Sequence, residues 1–419
     1  MRKLSYLLAA VLAGMVIAPD SVQAIPALAR KYGFNCNMCH TAFVKLNDYG
    51  QRFRDNGYQM PGQEGGEKTV FQDALPISLR TSAGLIVTHD PSLKKTTSGF
   101  HLNGLDLLAA GVMHENVSFL VIYTPRIDEP SADYTGPDAD NASQPGALES
   151  ASIVFSNLVP DALNLRVGRF EPAYHPFSSK RSYYLLQPYE VYGFSTPNNN
   201  FVFEDNQIGV EASGHFRKGF KYAAGIVNGS GASSDNNNAK DLYLNLSQMI
   251  GRGDGQSSGQ RLGGFIYYGW QPTAPIGSAG PAGDADGKSN KPFYRLGGNV
   301  SLNWRTFNIK GLLMYGADDK VMNVTEPGED YAFTGGIGRL DWAGLWNNRF
   351  VASAMVNWVQ PPESDEERRI RAFSALARYY MGDWVAVNVA LHTEYTYRRI
   401  GKESLSEEHQ FAALIDFDF

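Results

Sequence analysis

From about Pro76 to the C-terminus, apolar and polar residues alternate one by one and do not recur at helical spacing. The last stretch, HQFAALIDFDF, sets Phe411, Ala413, Ile415, Phe417 and Phe419 on one face and Gln410, Asp416 and Asp418 on the other. WVAVNVALHTEYTY repeats the pattern, with Val385, Val387, Val389 and Leu391 opposite Asn388, His392 and Glu394. Successive side chains of a strand point to opposite faces of a sheet. Charges on one face and aromatics on the other suit a barrel that turns its polar face to a lumen and its apolar face to lipid. The same reading along the chain predicts roughly sixteen antiparallel strands, an even number as such barrels require. They start near Ile77, Phe100, Val117, Leu148, Leu163, Gln207, Phe220, Asp241, Arg261, Phe293, Phe307, Tyr331, Arg349, Arg369, Trp384 and Glu408.

The connections alternate between short and long. HEN (114–116), VPDA (159–162), RKG (217–219) and MGD (381–383) are short, whereas the segments after Arg126, Phe170 and Trp270 are long. Short periplasmic turns and long outer loops are the rule in bacterial barrels, so both barrel ends are expected in the periplasm. GRGDGQSSG, 251–259, is long for a periplasmic turn. The segment from about Ala173 to Asn200 carries His175, Lys180, Arg181 and Tyr183 and reads either as an inward-folded constriction or as an ordinary surface loop. Outer loops hold acid clusters at Asp128, Glu129, Asp133, Asp138 and Asp140 and at Glu363, Asp365, Glu366 and Glu367. Such acids either stay solvated, bridge lipopolysaccharide through divalent ions, or focus cations such as ferrous iron. GDADG, with Asp284 and Asp286, is only a fragment of a calcium loop.

Composition agrees with a barrel. Glycine numbers 43 and aromatics make up 12%, yet mean hydropathy is only −0.29. A net charge of −6 excludes a basic nucleic-acid binder. The first residues read differently. Arg2 and Lys3, the apolar run Leu4 to Ala18 and Val22-Gln23-Ala24 form a secretory signal over 1–24, so the mature chain begins near Ile25 and is exported. Residues 25–75 read as a short helical segment and 76–419 as the barrel.

FNCNMCHTAF, 34–43, contains both cysteines of the chain, Cys36 and Cys39, followed by His40. A zinc site needs four ligands and this motif offers at most three. A thioredoxin-like pair belongs in a βαβ unit, which the flanks do not resemble. C-x-x-C-H is the attachment signal for haem c, with two thioethers from Cys36 and Cys39 and His40 as proximal iron ligand. A local disulfide is the bland alternative. Pro26 and Gly33 bracket one short helix, and Phe43, Leu46, Tyr49 and Phe53 mark a second that stops near Gly57. Met60 is the nearest candidate distal ligand; His175, His101 or an open site are the alternatives.

IPALARKYGFNCNMCHTAF matches a P-x-x-A-R…C-x-x-C-H-T pattern, and GQRFRDNGY the G-x-x-F…N-G-Y that follows it. Through about Met60 the chain resembles the fused monohaem cytochrome–porin family of the bacterial outer membrane, whose best-known members are outer-membrane iron oxidases. Val44 stands where that family has proline. LRVGRFEP resembles phosphate-selective porins. The resemblance implies one covalent haem c, housed in or at the lumen. It implies transfer of electrons across the outer membrane, from extracellular Fe(II) to a periplasmic c-type cytochrome, without bond-making catalytic residues. An outward conduit to extracellular acceptors and a passive anion or phosphate-type porin with a haem-bearing plug are the other forms. Outer-membrane lipid and lipopolysaccharide are the expected surroundings.

Overall fold

The computed structural model describes residues 27–32, 38–42, 45–60, 62, 65–66, 68–72, 77–125, 147–216, 218–231, 235–251, 259–272, 274–275, 283–284, 290–345, 349–381, 388–402 and 406–418. The signal segment, Cys36, Phe43, Val44, the acid cluster of 128–140, Asp286, Trp384, Val385, Val387 and Phe419 lie outside them.

The barrel strands are β1 (Ile77–Asp90), β2 (Lys95–His114), β3 (Val117–Thr124), β4 (Ala147–Val159), β5 (Leu163–Phe170), β6 (Gln207–His215), β7 (Phe220–Val227) and β8 (Asp241–Gly251), followed by β9 (Gln260–Pro272), β10 (Asn290–Trp304), β11 (Phe307–Asp318), β12 (Tyr331–Gly344), β13 (Phe350–Gln360), β14 (Ile370–Tyr380), β15 (Asn388–Ile400) and β16 (Ser406–Asp418). Each pairs with its neighbours in sequence, and β16 pairs antiparallel with β1, Phe411 opposite Val87 and Asp418 opposite Arg80. The sheet therefore closes and has no edge. Among the described residues this is one all-β barrel with only short helices.

Alternation decides which face meets what. On β16, Phe411 and Ile415 are exposed while Ala412, Leu414, Asp416 and Asp418 are buried. On β14, Phe373 is exposed and Ser374, Leu376 and Arg378 are buried. Several inward charges are paired: Arg295 with Asp318 at 2.5 Å, Arg339 with Asp341 at 2.6 Å, His392 with Glu394 at 3.0 Å, and Arg378 with Asp416.

Among the described residues, tight turns join strands at one rim. Glu115 (φ 37°) and Arg305 (φ 50°) take left-handed backbone to close two of them. At the opposite rim the first connection, 91–94, is short where a longer loop is expected. β2 begins at Lys95, before the expected Phe100, because Thr96 and Thr97 continue the ladder opposite His89 and Thr88. Asp90 caps that turn by accepting from the N–H groups of Ser92 (2.8 Å) and Leu93 (3.0 Å).

The segment 171–206, which contains α3 (Glu190–Gly193), folds into the lumen. Tyr174, Phe177, Tyr183, Tyr184, Tyr192 and Phe203 are buried in one cluster with Tyr243, Phe265, Tyr267, Phe293 and Phe333 from the wall. The hydrophobic core of this protein thus lies inside its barrel. Burying one such ring contributes about 1.5–3 kcal/mol. Wall groups hold the loop: the Glu394 carboxylate accepts from the N–H of Leu185 (2.7 Å), Leu186 (3.2 Å) and Gln187 (3.0 Å). Arg339 donates to the Tyr189 hydroxyl at 2.9 Å and Asn245 to the Ala173 carbonyl at 2.6 Å. The inward reading of this segment is the correct one, and the surface-loop alternative is excluded.

Glu394→Ala leaves three backbone donors without their acceptor, those of Leu185 and Leu186 part-buried and that of Gln187 buried, the last at about 1–3 kcal/mol. The barrel is expected to remain folded on gels while its conductance in planar bilayers rises above that of the parent protein. Unchanged conductance would show that Glu394 does not hold the loop.

Candidate functional site: a segment docked in the lumen

α1 (Ala27–Tyr32) and α2 (Asp48–Asp55) flank the Cys39-His40 pair. His40–Ala42 pairs with Lys45–Leu46 as a small ribbon. The second helix is shorter than the spacing predicts, and Leu46 belongs to the ribbon. The reason is Asn47, an N-cap in extended conformation whose side chain accepts from the Gly50 N–H at 2.8 Å. Asn47 also donates from its backbone to the Cys39 carbonyl and from its side chain to the Met38 carbonyl, both at 2.9 Å. Gly50 is required there, since a Cβ would lie 2.2 Å from the Cys39 oxygen. Met38 and Cys39 are therefore strapped to the first turn of α2. Tyr32, Phe53 and Tyr58 stack edge to face beneath it, with ring centroids 5.6 and 5.9 Å apart. Gly57, at φ 68°, turns the chain after the helix against Ser118 of β3.

That miniature core is too small to hold the segment by itself, and the wall holds it instead. Asp48 meets Lys221 at 3.2 Å and Arg261 at 3.5 Å, and Asp55 meets His215 at 2.8 Å and Arg166 at 3.6 Å. Arg52 pairs with Asp161, and Lys45 with Asp341 at 3.3 Å. Asn56 accepts from Asn164 at 3.0 Å, and Gln59 donates to Ser156 at 2.8 Å. These wall groups sit at strand ends beside the short turns, so the segment plugs the short-turn mouth. Burial pushes the Asp55 carboxyl up, but Arg54, His215 and Arg166 together outweigh it and hold it well below the usual range. Burial likewise opposes Glu171, which Arg181, His175 and Arg54 bring down to about 2.

Between plug and inward loop lies a cavity partly open to solvent. Thr41, Lys45 and Asp48 line it from the plug, His175 and Arg181 from the loop, and Lys310 from the wall. Thr41, next to His40, and His175 thus share one cavity. His175 is buried there, stacked on Tyr192 at 5.3 Å, with Nε2 against the Phe203 carbonyl. His101 is exposed on β2. Met60 stays on the plug, where its sulfur accepts from the Tyr49 hydroxyl at 3.3 Å. Sequence reasoning missed the clamps Asp48, Asp55, Asp161, His215, Lys221 and Arg261. Their only signal is charge on one helix and at strand ends beside short turns.

The donor set fits haem c. Two thiols at this spacing with an adjacent imidazole suit covalent attachment, and Gly50 gives Cys39 a fixed seat. Cys36 and Cys39 would hold the porphyrin and His40 its iron. Among the described residues no group of three or more His, Cys, Asp or Glu could hold a metal ion.

This is the fold of an outer-membrane porin. No protein-family model and no curated protein matches the chain. Among solved structures, the anion-selective porin of Comamonas acidovorans is 11% identical, over 82% of this chain and 100% of that one, with a TM-score of 0.54. Salmonella typhi OmpF, solved with daunomycin, is 9% identical over 84% and 100% (TM-score 0.54). The DcaP channel of Acinetobacter baumannii is 8% identical over 82% and 97% (TM-score 0.53). At these identities the likeness is one of fold.

A carboxyl whose value is lower folded than unfolded stabilises at pH above its unfolded value and loses that contribution as pH falls through the folded one. Asp55 and Glu171 both lie on that side, so docking is expected to be intact at neutral pH. It should weaken as pH falls below about 4, the ordinary carboxylate range. Protease sensitivity of the plug against pH measures this. Asp55→Asn should bring the sensitivity to neutral pH, at a cost of about 3–5 kcal/mol for breaking a buried pair. A plug equally protected at pH 7 in that variant would remove the clamp from the account.

Proposed function

We propose that this protein is an outer-membrane cytochrome–porin that moves electrons across the outer membrane, with extracellular Fe(II) as donor and a periplasmic c-type cytochrome as acceptor. The observation that carries the reading is the docking of the Cys39-His40 segment inside a barrel whose lumen is already filled by a second element. The membrane's hydrocarbon core is about 30 Å thick and insulating, so charge must have a path through protein. Haem c, when attached, supplies one-electron chemistry.

The chain's own residues do the rest. Cys36 and Cys39 anchor the group, His40 ligates it, and Met60 or His175 is the candidate for the sixth position. The Asp48, Asp55 and Lys45 pairs fix the plug, and the aromatic loop excludes water. Short turns on one rim, with Ile77 and Asp418 at the ends of the barrel on that rim, support termini on the periplasmic side. The exposed Leu, Ile and Phe of the outer face support burial in lipid.

A passive channel with a haem-bearing plug is the second reading. The porin neighbours, one of them anion-selective, and the cations along the cavity favour it. Two measurements separate the readings. In planar bilayers the electron-transfer reading expects little conductance, and in anaerobic mixtures it expects ferrous iron to produce the reduced haem spectrum. Cys39→Ala should lose at least about 90% of bound haem and all iron oxidation while leaving the barrel in the membrane. Iron oxidation retained in that variant would sink the reading, and an open pore with haem unreactive to iron would establish the channel.

A further inference from the structure

We propose that the lumenal cavity contains an oxyanion-binding site centred on Lys310, taking a carboxylate or phosphate group. Four adjacent strands set inward residues in one row: Arg261 of β9 is opposite Ser301 of β10, Ser301 is opposite Lys310 of β11, and Lys310 is opposite Arg339 of β12. Like charges directly opposite on neighbouring strands repel. Lys45 of the plug joins the same group, donating to Asn308 and standing 3.3 Å from Asp341. Three cations, Lys45, Lys310 and Arg339, thus surround one carboxylate, Asp341, and Arg339 already binds it at 2.6 Å.

Lys310 is left over. Among the described residues it makes neither an ion pair nor a hydrogen bond, and its ammonium stands 5.0 Å from the Phe177 ring centroid. The other acids of the cavity are already engaged: Asp48 with Lys221 and Arg261, Asp55 with His215, and Glu171 with Arg181. Two further donors line the same cavity. Asn299 Nδ2 and Arg261 Nε are buried without an acceptor among the described residues, and both side chains line this cavity. A buried amine short of a counter-charge and two donors short of an acceptor, all lining one cavity, are what an oxyanion bound there would meet.

Two sources share this chemistry: a carboxylate side chain of haem c, which rests on the proposed attachment, and a free small oxyanion, which does not. The test uses inorganic phosphate at constant ionic strength and the thermal midpoint of the purified full-length protein. Measurements are made on the haem-loaded protein and on the Cys36→Ala/Cys39→Ala variant, each with and without Lys310→Met. Phosphate is expected to raise the midpoint of the haem-free form. Lys310→Met should abolish that rise and Lys310→Arg should retain it. If a haem carboxylate fills the site, phosphate leaves the loaded protein unchanged and Lys310→Met moves its haem potential to more negative values. If a free oxyanion is the ligand, the loaded protein responds to phosphate as the haem-free form does. No phosphate response in either form, with no change of potential in Lys310→Met, overturns the proposal. Should the haem-free variant not fold, the two readings on the loaded protein decide alone. A wild-type protein that carries no haem would defeat the proposed function, yet its own phosphate response would still test the site.

Discussion

Closure is the constraint on which everything else in this molecule depends. In hydrocarbon every backbone N–H and C=O must find a partner within the protein, and a sheet achieves this only by joining its last strand to its first. The β16–β1 ladder does so here, from His409 opposite His89 to Asp418 opposite Arg80. Sixteen strands then enclose an interior too wide for wall side chains to fill. The segment 171–206 supplies the missing volume with aromatic rings, and the N-terminal segment occupies the short-turn mouth with charges. A barrel usually offers its lumen to water; this one spends much of it on packing.

The two fillings are held by different physics, and the difference fits their positions. The loop is buried among apolar rings, so hydrophobic contact holds it, with backbone donors anchored on Glu394. The apolar packing of the plug centres on Tyr32, Phe53 and Tyr58. Its contacts are ion pairs and amide hydrogen bonds to polar wall residues such as Asn164, His215 and Lys221. Partly desolvated pairs of this kind add little net stability when complete but are costly when one partner is removed. Docking is therefore specific in register and expected to weaken in acid.

Most of the barrel was legible because its signal is local. Period-two alternation survives in any single strand, and tight turns between Val159 and Leu163 or Trp304 and Phe307 leave no room for another element. Strand starts at Ile77, Val117, Leu163, Gln207, Phe220, Asp241, Phe307 and Tyr331 coincide with those read from pattern alone. The errors have local causes too. Asn47 caps a helix that hydrophobic spacing would begin earlier, and the threonines at 96 and 97 carry β2 beyond the apolar pattern. The clamps were not legible, because a pair such as Asp48 and Lys221 is set by three-dimensional proximity alone. Whether 171–206 turned inward was equally undecidable, since buried aromatics and an aromatic surface loop look alike in sequence.

The N-terminal segment and the barrel each make sense of the other. A segment of this size cannot build a stable core from its own side chains, for its surface is too great relative to its volume. The barrel, for its part, has a lumen that must be occupied if it is not to leak. Placing the segment in the mouth meets both needs at once, and the resulting arrangement leaves a cavity between Thr41 and His175 with walls from three sources: plug, loop and strand. Those walls are polar and carry an excess of cations. A group seated there would meet the cations of plug and wall on one side and Phe177 of the loop on another.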